Sequence, residues 1–110
     1  VYSISKKTLT LNDKKYLTVD YKNEPWKKGL YDIEIPDHPH LGGRNYIKIA
    51  PHSKVWFRIG HSGDKYIHAG SYSLGCITII EHNKWEEIYF VLIKSRKGDF
   101  DSVGMLEVID

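Results

Sequence analysis

A single cysteine, a single methionine, four prolines and no long apolar run are the first features of this 110-residue sequence. One Cys cannot form an internal disulfide, so a small secreted fold stapled by bridges is excluded, and so is a four-cysteine zinc site. No apolar stretch approaches the roughly 18 to 20 residues of a membrane-spanning helix, so no membrane span is expected. Charge of one sign is lacking too. Sixteen Lys and Arg face 14 Asp and Glu, a net charge of +2, without the strongly basic face of a nucleic-acid-binding domain. What the chain does hold is 41% hydrophobic residues, including 8 Tyr, 3 Trp and 3 Phe. That is material for one core in a chain of single-domain length, so residues 1–110 are expected to form one domain.

Alternation of apolar and polar residues predicts strands at Val1–Ser5, Thr8–Leu11, Tyr16–Tyr21, Leu30–Ile35, Tyr46–Ile49, Lys54–Ile59 and Val103–Ile109. Lys6-Lys7 and Asn12-Asp13 read as tight turns, and Pro36–Gly43 as a loop. The period changes once. Between Glu81 and Lys94, the residues Trp85, Ile88, Tyr89, Leu92 and Ile93 recur at spacings of three and four, which predicts a helix with one apolar face. Lys94, Arg96 and Lys97 suit the negative end of its dipole, and Gly98 suits its stop. The expected fold is mainly β, a sandwich or barrel-like mixed sheet with one helix against it. The chain begins at a strand-like Val1 with no initiator Met, so a mature form or an excised domain is expected, with any export or delivery signal outside it.

Chemistry concentrates in residues 60–80, GHSGDKYIHAGSYSLGCITII. Cys76 follows Ser73-Leu74-Gly75, and His68 lies eight residues upstream. The thiolate is the reactive form of cysteine, yet a thiol of ordinary pKa, about 8.5, is mostly protonated at neutral pH. A histidine able to accept that proton makes the pair a candidate nucleophile and base. Gly75 lets the backbone turn sharply ahead of Cys76, where successive amide N–H groups can face a developing oxyanion. Other residue-level readings stand beside these. Cys76 among Ile77, Ile79 and Ile80 also fits a buried thiol in a strand, His68 a strand histidine at the surface, and Ser73 a turn residue bonded to nearby backbone. His61 reads equally as a competing base or cleft residue and as a loop histidine bonded to backbone. Asp37-His38-Pro39-His40 reads as a solvated loop rather than a metal site, since two histidines fall short of a three-ligand set. Trp56, Phe57, Trp85 and Tyr89 read as core. Arg44, Arg58 and Tyr72 are candidates for substrate contact, a guanidinium being suited to a peptide carboxylate.

His68-Ala69-Gly70 followed by Ser73-Leu74-Gly75-Cys76-Ile77 resembles the active-site motif of the L,D-transpeptidase catalytic domain. The resemblance extends to Trp26-Lys-Lys-Gly29-Leu-Tyr-Asp-Ile33, where that family has a Thr-Pro-x-Gly-x-Tyr/Phe-x-Ile element, and to the closing strand. It implies a mixed β fold with a short helix and an enzyme of peptidoglycan stem peptides. The cysteine attacks the carbonyl after the third residue, releases D-Ala, and passes the acyl group to an amine, another D-amino acid or water. It also implies Cys76 as nucleophile, His68 as base, the Gly75 and Cys76 amides as oxyanion hole and Ser73 as support of the turn. Three features depart from the family. Leu74 stands where a His is commonest, Thr78 where an Arg is, and the interval from His to Cys is short. These features are closer to divergent members, among them wall-attacking effector toxins, for which an immunity protein would be a partner. The implied location is the bacterial cell envelope, the substrate-side candidates are Arg58, His61 and Tyr72, and no cofactor or metal is called for. The reading from another class is a non-catalytic binding domain on the same scaffold. A papain-like peptidase is disfavoured by chain order, because there the cysteine precedes its histidine.

Overall fold

A computed structural model of the chain describes residues 1–21, 26–36, 38–60, 63–71, 73, 75–96 and 102–110. The hairpin expected near the N-terminus forms as β2 (Thr8–Leu11) and β3 (Lys14–Val19). Its two-residue turn, Asn12-Asp13, has both residues at positive φ, 50° and 68°. Asn and Asp tolerate that conformation, and its twist matches that of paired strands. A short β1 (Tyr2–Ser3) lies antiparallel to β2 and parallel to β8 (Ser102–Ile109), which in turn pairs antiparallel with β4 (Gly29–Glu34). On the other side of the hairpin, β3 meets β7 (Ile77–Ile79), β7 runs parallel to β6 (Tyr66–Ala69), and β6 pairs with β5 (Phe57–Arg58).

The eight strands thus form one mixed sheet in the order β4-β8-β1-β2-β3-β7-β6-β5. Its two edges meet. Ile33 of β4 bridges Ile59, just beyond β5, and the Gly60 N–H donates to the Asp32 carbonyl at 2.7 Å. The sheet is therefore a nearly closed barrel, which leaves little unpaired edge. Its interior is filled by Tyr2, Leu9, Tyr16, Ile33, Phe57, Ile67, Ile77, Ile79, Val103, Leu106 and Val108.

The helix α1 (Trp85–Lys94) buries Trp85, Ile88 and Leu92 against that core, preceded by a single 3-10 turn at His82–Lys84. Trp85 is fully buried, and its indole N–H reaches the His52 carbonyl at 2.8 Å. Glu86 holds His52 from both sides, accepting from its backbone N–H at 2.8 Å and lying 2.7 Å from its Nδ1. The helix thereby braces the segment 38–56, which the sequence pattern misjudged. Tyr46–Ile49 is not a strand. Leu41–Tyr46 is a 3-10 helix followed by a turn in which the Ala50 N–H bonds the Tyr46 carbonyl at 2.8 Å. The alternation there reflects no buried face, since Ile47 and Ile49 are exposed. Lys54–Ile59 contracts in the same way to the two residues of β5, because the Lys54 carbonyl is taken by the His40 N–H and the Val55 N–H by the His52 carbonyl. Val1–Ser5 likewise keeps only Tyr2–Ser3 in the sheet, the chain turning at Ile4.

Candidate active site

Strand parity sets up the site. Ile67 and Ala69 of β6 and Ile77 and Ile79 of β7 belong to the barrel core. Tyr66, His68 and Thr78 therefore project from the outer face, where His68 and Thr78 are register partners across the parallel pair. The outer face here is covered by the 38–56 segment, so His68 and Thr78 are buried although they point away from the core. Cys76, two residues before Thr78, continues the outward parity at the mouth of this layer.

A cleft of about 250 Å3 opens between the sheet and the covering segment, lined by Gly42, Tyr46, Trp56, His68, Ser73 and Cys76 together with residues 69–71. No carboxylate, ammonium or guanidinium group lines it among the described residues. The reactive candidates on its wall are one thiol and one imidazole. The structure brings the sequence-predicted Cys76, His68 and Ser73 into this one cleft.

Ser73 builds the turn into the cysteine. Its Oγ accepts the Gly75 N–H at 3.0 Å and donates to the Cys76 carbonyl at 2.6 Å, so one hydroxyl closes both sides of the turn. Gly75 has φ +135°, a conformation that side chains of L-residues disfavour. Its amide, expected to face an oxyanion, is engaged by Ser73 in this conformation. The Cys76 thiol points toward the Asp64 carbonyl, with Sγ 3.6 Å from the oxygen. Burial pushes the thiol above the usual cysteine value. The Tyr66 backbone N–H and the Lys65 charge work in the opposite direction, and Asp64 reinforces the rise.

Contacts on both sides hold the His68 ring. Its Nδ1 lies 2.9 Å from the Ala69 carbonyl and its Nε2 lies 3.2 Å from Thr78 Oγ1. A carbonyl can only accept, so Nδ1 carries the proton and Nε2 keeps the lone pair, accepting from the Thr78 hydroxyl. Burial lowers the imidazole's proton affinity, the Ala69 hydrogen bond partly restores it, and the nearby His40 lowers it again. The resting pair is thus a neutral thiol and a neutral imidazole. Gly70 admits the ring closely, since a Cβ there would lie 3.3 Å from His68 Cε1.

Trp56 stacks on His68 with centroids 4.0 Å apart, and its other face carries His40 at 4.2 Å. His38 stacks on His40 in turn, at 4.5 Å. This column corrects the reading of Trp56 as core and of His40 as part of a solvated loop. A signal was available in Lys54-Val-Trp-Phe-Arg58, because Phe57 faces the core and so sends Trp56 and Arg58 outward. Tyr46, whose hydroxyl lies 2.8 Å from Ser71 Oγ and whose ring packs on His82, was also missed. Among the proposed substrate contacts, Arg58 is not part of the cleft lining. Its guanidinium donates to the Tyr66 hydroxyl at 3.3 Å and lies over the Tyr66 ring. His61 and Tyr72 lie outside the described residues.

Among the described residues, no group of three or more His, Cys, Asp or Glu is placed to hold a metal ion. None of their helices is long and apolar enough to cross a membrane. No family model matches this chain, and neither the curated proteins nor the solved structures hold a match to it.

Proposed function

We propose that this chain is a cysteine acyl-transfer enzyme acting on peptidoglycan stem peptides, in the manner of L,D-transpeptidases and L,D-carboxypeptidases. The observation that carries the reading is the placement of Cys76 and His68 on one cleft wall, with the Ser73-braced turn delivering the cysteine to its mouth. In the proposed reaction Sγ bonds to the stem-peptide carbonyl carbon while its proton passes to His68 Nε2. The imidazolium is stabilised through Nδ1–H by the Ala69 carbonyl, and the Thr78 hydroxyl reverses its role and accepts from Nε2–H. The tetrahedral oxyanion is assigned to the Cys76 amide, the Gly75 amide being held by Ser73. Collapse breaks the C–N bond, and Nε2–H returns its proton to the leaving D-Ala amine. An incoming amine, D-amino acid or water then attacks the thioester and gives its proton to Nε2; the C–S bond breaks, and Nε2–H returns the proton to Sγ. These acceptors correspond to transpeptidation, exchange and hydrolysis. The substrate implies the cell envelope as the place of action, whether on the producer's own wall or, for an effector, a rival's.

A second reading, a binding domain on this scaffold, is favoured by the engagement of both His68 ring nitrogens and by the elevated thiol. Incubation with purified tetrapeptide muropeptides, with and without a free D-amino acid, separates the two by mass spectrometry of the products. Loss of the terminal D-Ala, its replacement or a cross-linked dimer is expected from the native protein and not from Cys76→Ala. Unchanged muropeptides at equimolar protein would overturn the enzyme reading in favour of the binding domain.

A further inference from the structure

Lys65 precedes β6 in the sequence, and its side chain folds back across the cysteine turn. A Cβ built on Gly75 would lie 2.1 Å from Lys65 Nζ, 3.0 Å from Cε and 3.3 Å from Cδ. The whole distal half of the lysine thus occupies the space that any other residue at 75 would fill. Gly75 therefore serves two purposes: it takes the positive φ, and it leaves a path for an ammonium group beside the nucleophile. The backbone on either side of Lys65 is fixed. Its carbonyl accepts the Ile59 N–H at 2.8 Å, and the preceding Asp64 carbonyl is the one toward which Cys76 Sγ points.

We propose that Lys65 is the counter-ion of the Cys76 thiolate, a residue that tunes the nucleophile from beside Gly75. The cleft lining itself holds no Lys or Arg among the described residues, and burial alone would leave the thiol unreactive. An ammonium beside Gly75 offsets that burial as negative charge develops on Sγ. The groups around the thiol act in both directions. The Tyr66 amide and Lys65 favour the thiolate, Asp64 opposes it, and the titratable groups His68 and Tyr46 line the same cleft. In this arrangement Lys65 supplies the positive charge, and Thr78, where the resembled family has its Arg, hydrogen-bonds the imidazole.

The inference rests on the reading of Cys76 as a nucleophile, and its test reads the thiol without any peptidoglycan. The rate of Cys76 alkylation by iodoacetamide is measured by mass spectrometry from pH 6 to pH 10 for the native chain, Lys65→Gln and Lys65→Arg. Removing the charge is expected to move the inflection up by about one pH unit and slow labelling near neutral pH about tenfold. Lys65→Arg is expected to stay within about twofold of native. As a check that needs no variant, 1 M NaCl is expected to shift the native inflection upward by weakening the pair. Coincident profiles for native and Lys65→Gln, or a native profile indifferent to salt, would overturn the proposal. A Lys65-dependent profile alongside unchanged muropeptides would retain the counter-ion and remove the peptidoglycan reading.

Discussion

The Trp56 indole lies 16° from parallel with the His68 imidazole on one face and 6° from parallel with His40 on the other. With both faces covered, the indole presents only its edge to the cleft. It cannot serve as a stacking platform for a sugar ring and acts instead as the wall that fixes the imidazole plane. Trp56→Ala is expected to lower kcat more than it raises KM, and to cost about 1 to 3 kcal/mol through the two lost stacking contacts. Urea denaturation and muropeptide kinetics measure the two effects. An unaltered kcat would show that His68 is held without the indole.

Thr78 is fully buried and its hydroxyl donates to His68 Nε2. Thr78→Val keeps the shape and removes that donor, which costs about 1 to 3 kcal/mol when a buried polar group loses its partner. Turnover is expected to fall about tenfold, with Thr78→Ser restoring most of it. The acidic limb of the pH–rate profile should also shift in the valine variant, a response that a purely structural role would not produce.

The two perturbed groups of the cleft, His68 and Cys76, link stability to pH in opposite directions. Burial lowers the folded-state pKa of His68, so on acidification the unfolded chain takes up its proton first and stability falls as pH drops below about 6.5. Burial raises that of Cys76, so the unfolded chain loses its proton first and stability falls as pH climbs through about 9. Melting temperatures measured from pH 4 to pH 10 are expected to decline at both ends. His68→Gln should flatten part of the acidic decline and Cys76→Ser part of the alkaline one. Variant curves that merely run parallel to the native curve would contradict the linkage.

Two glycines near the cleft are expected to respond differently to alanine. A Cβ on Gly43 would lie 2.0 Å from the Ser53 carbonyl oxygen, a backbone atom held by its own turn. Gly43→Ala should therefore displace the covering segment, costing about 3 kcal/mol or more and exposing the outer face of β6. Gly75→Ala meets the flexible end of Lys65 and a φ of +135°. It should cost roughly 1 to 3 kcal/mol, while proteolysis within residues 41–54 stays at the native rate. Rapid cleavage in that segment is expected only for Gly43→Ala.

Several features of the fold were legible because they are local. Asn12-Asp13 between two alternating runs specifies a hairpin, the Trp85–Ile88–Leu92 spacing specifies the helix face, and Val103, Leu106 and Val108 supply the inward side of β8. Segment 38–56 was not legible, because Gly43 and Ser53 are joined by a backbone approach and a 2.6 Å hydrogen bond across ten residues that no periodicity encodes. The site divides in the same way. Cys76, His68 and Ser73 fall within one short stretch flanked by glycines. The stacking partners Trp56 and His40 come from another segment, and Lys65 in Gly63-Asp-Lys65 looks like an ordinary solvated charge until the chain folds it over Gly75.

The pairing of β1 with β8 has a kinetic consequence. Tyr2 is the register partner of Val108 and Ser3 of Ile109, and β8 is the strand on which β4 rests. β1 can pair with β2 locally, but β4 has no strand beside it until residues 102–109 are in place, and joining β8 to β1 brings together positions about a hundred residues apart. Contacts of such sequence separation slow folding, since the chain gives up loop entropy before it gains packing. The β2–β3 hairpin can form early from local contacts alone. The Ile33–Ile59 bridge, which joins the two edges and brings β5 beside β4, spans a much shorter stretch of chain than the β1–β8 pairing. The cleft wall at Trp56 thus adjoins both the seam and, through the β5–β6 pairing, the strand that carries His68.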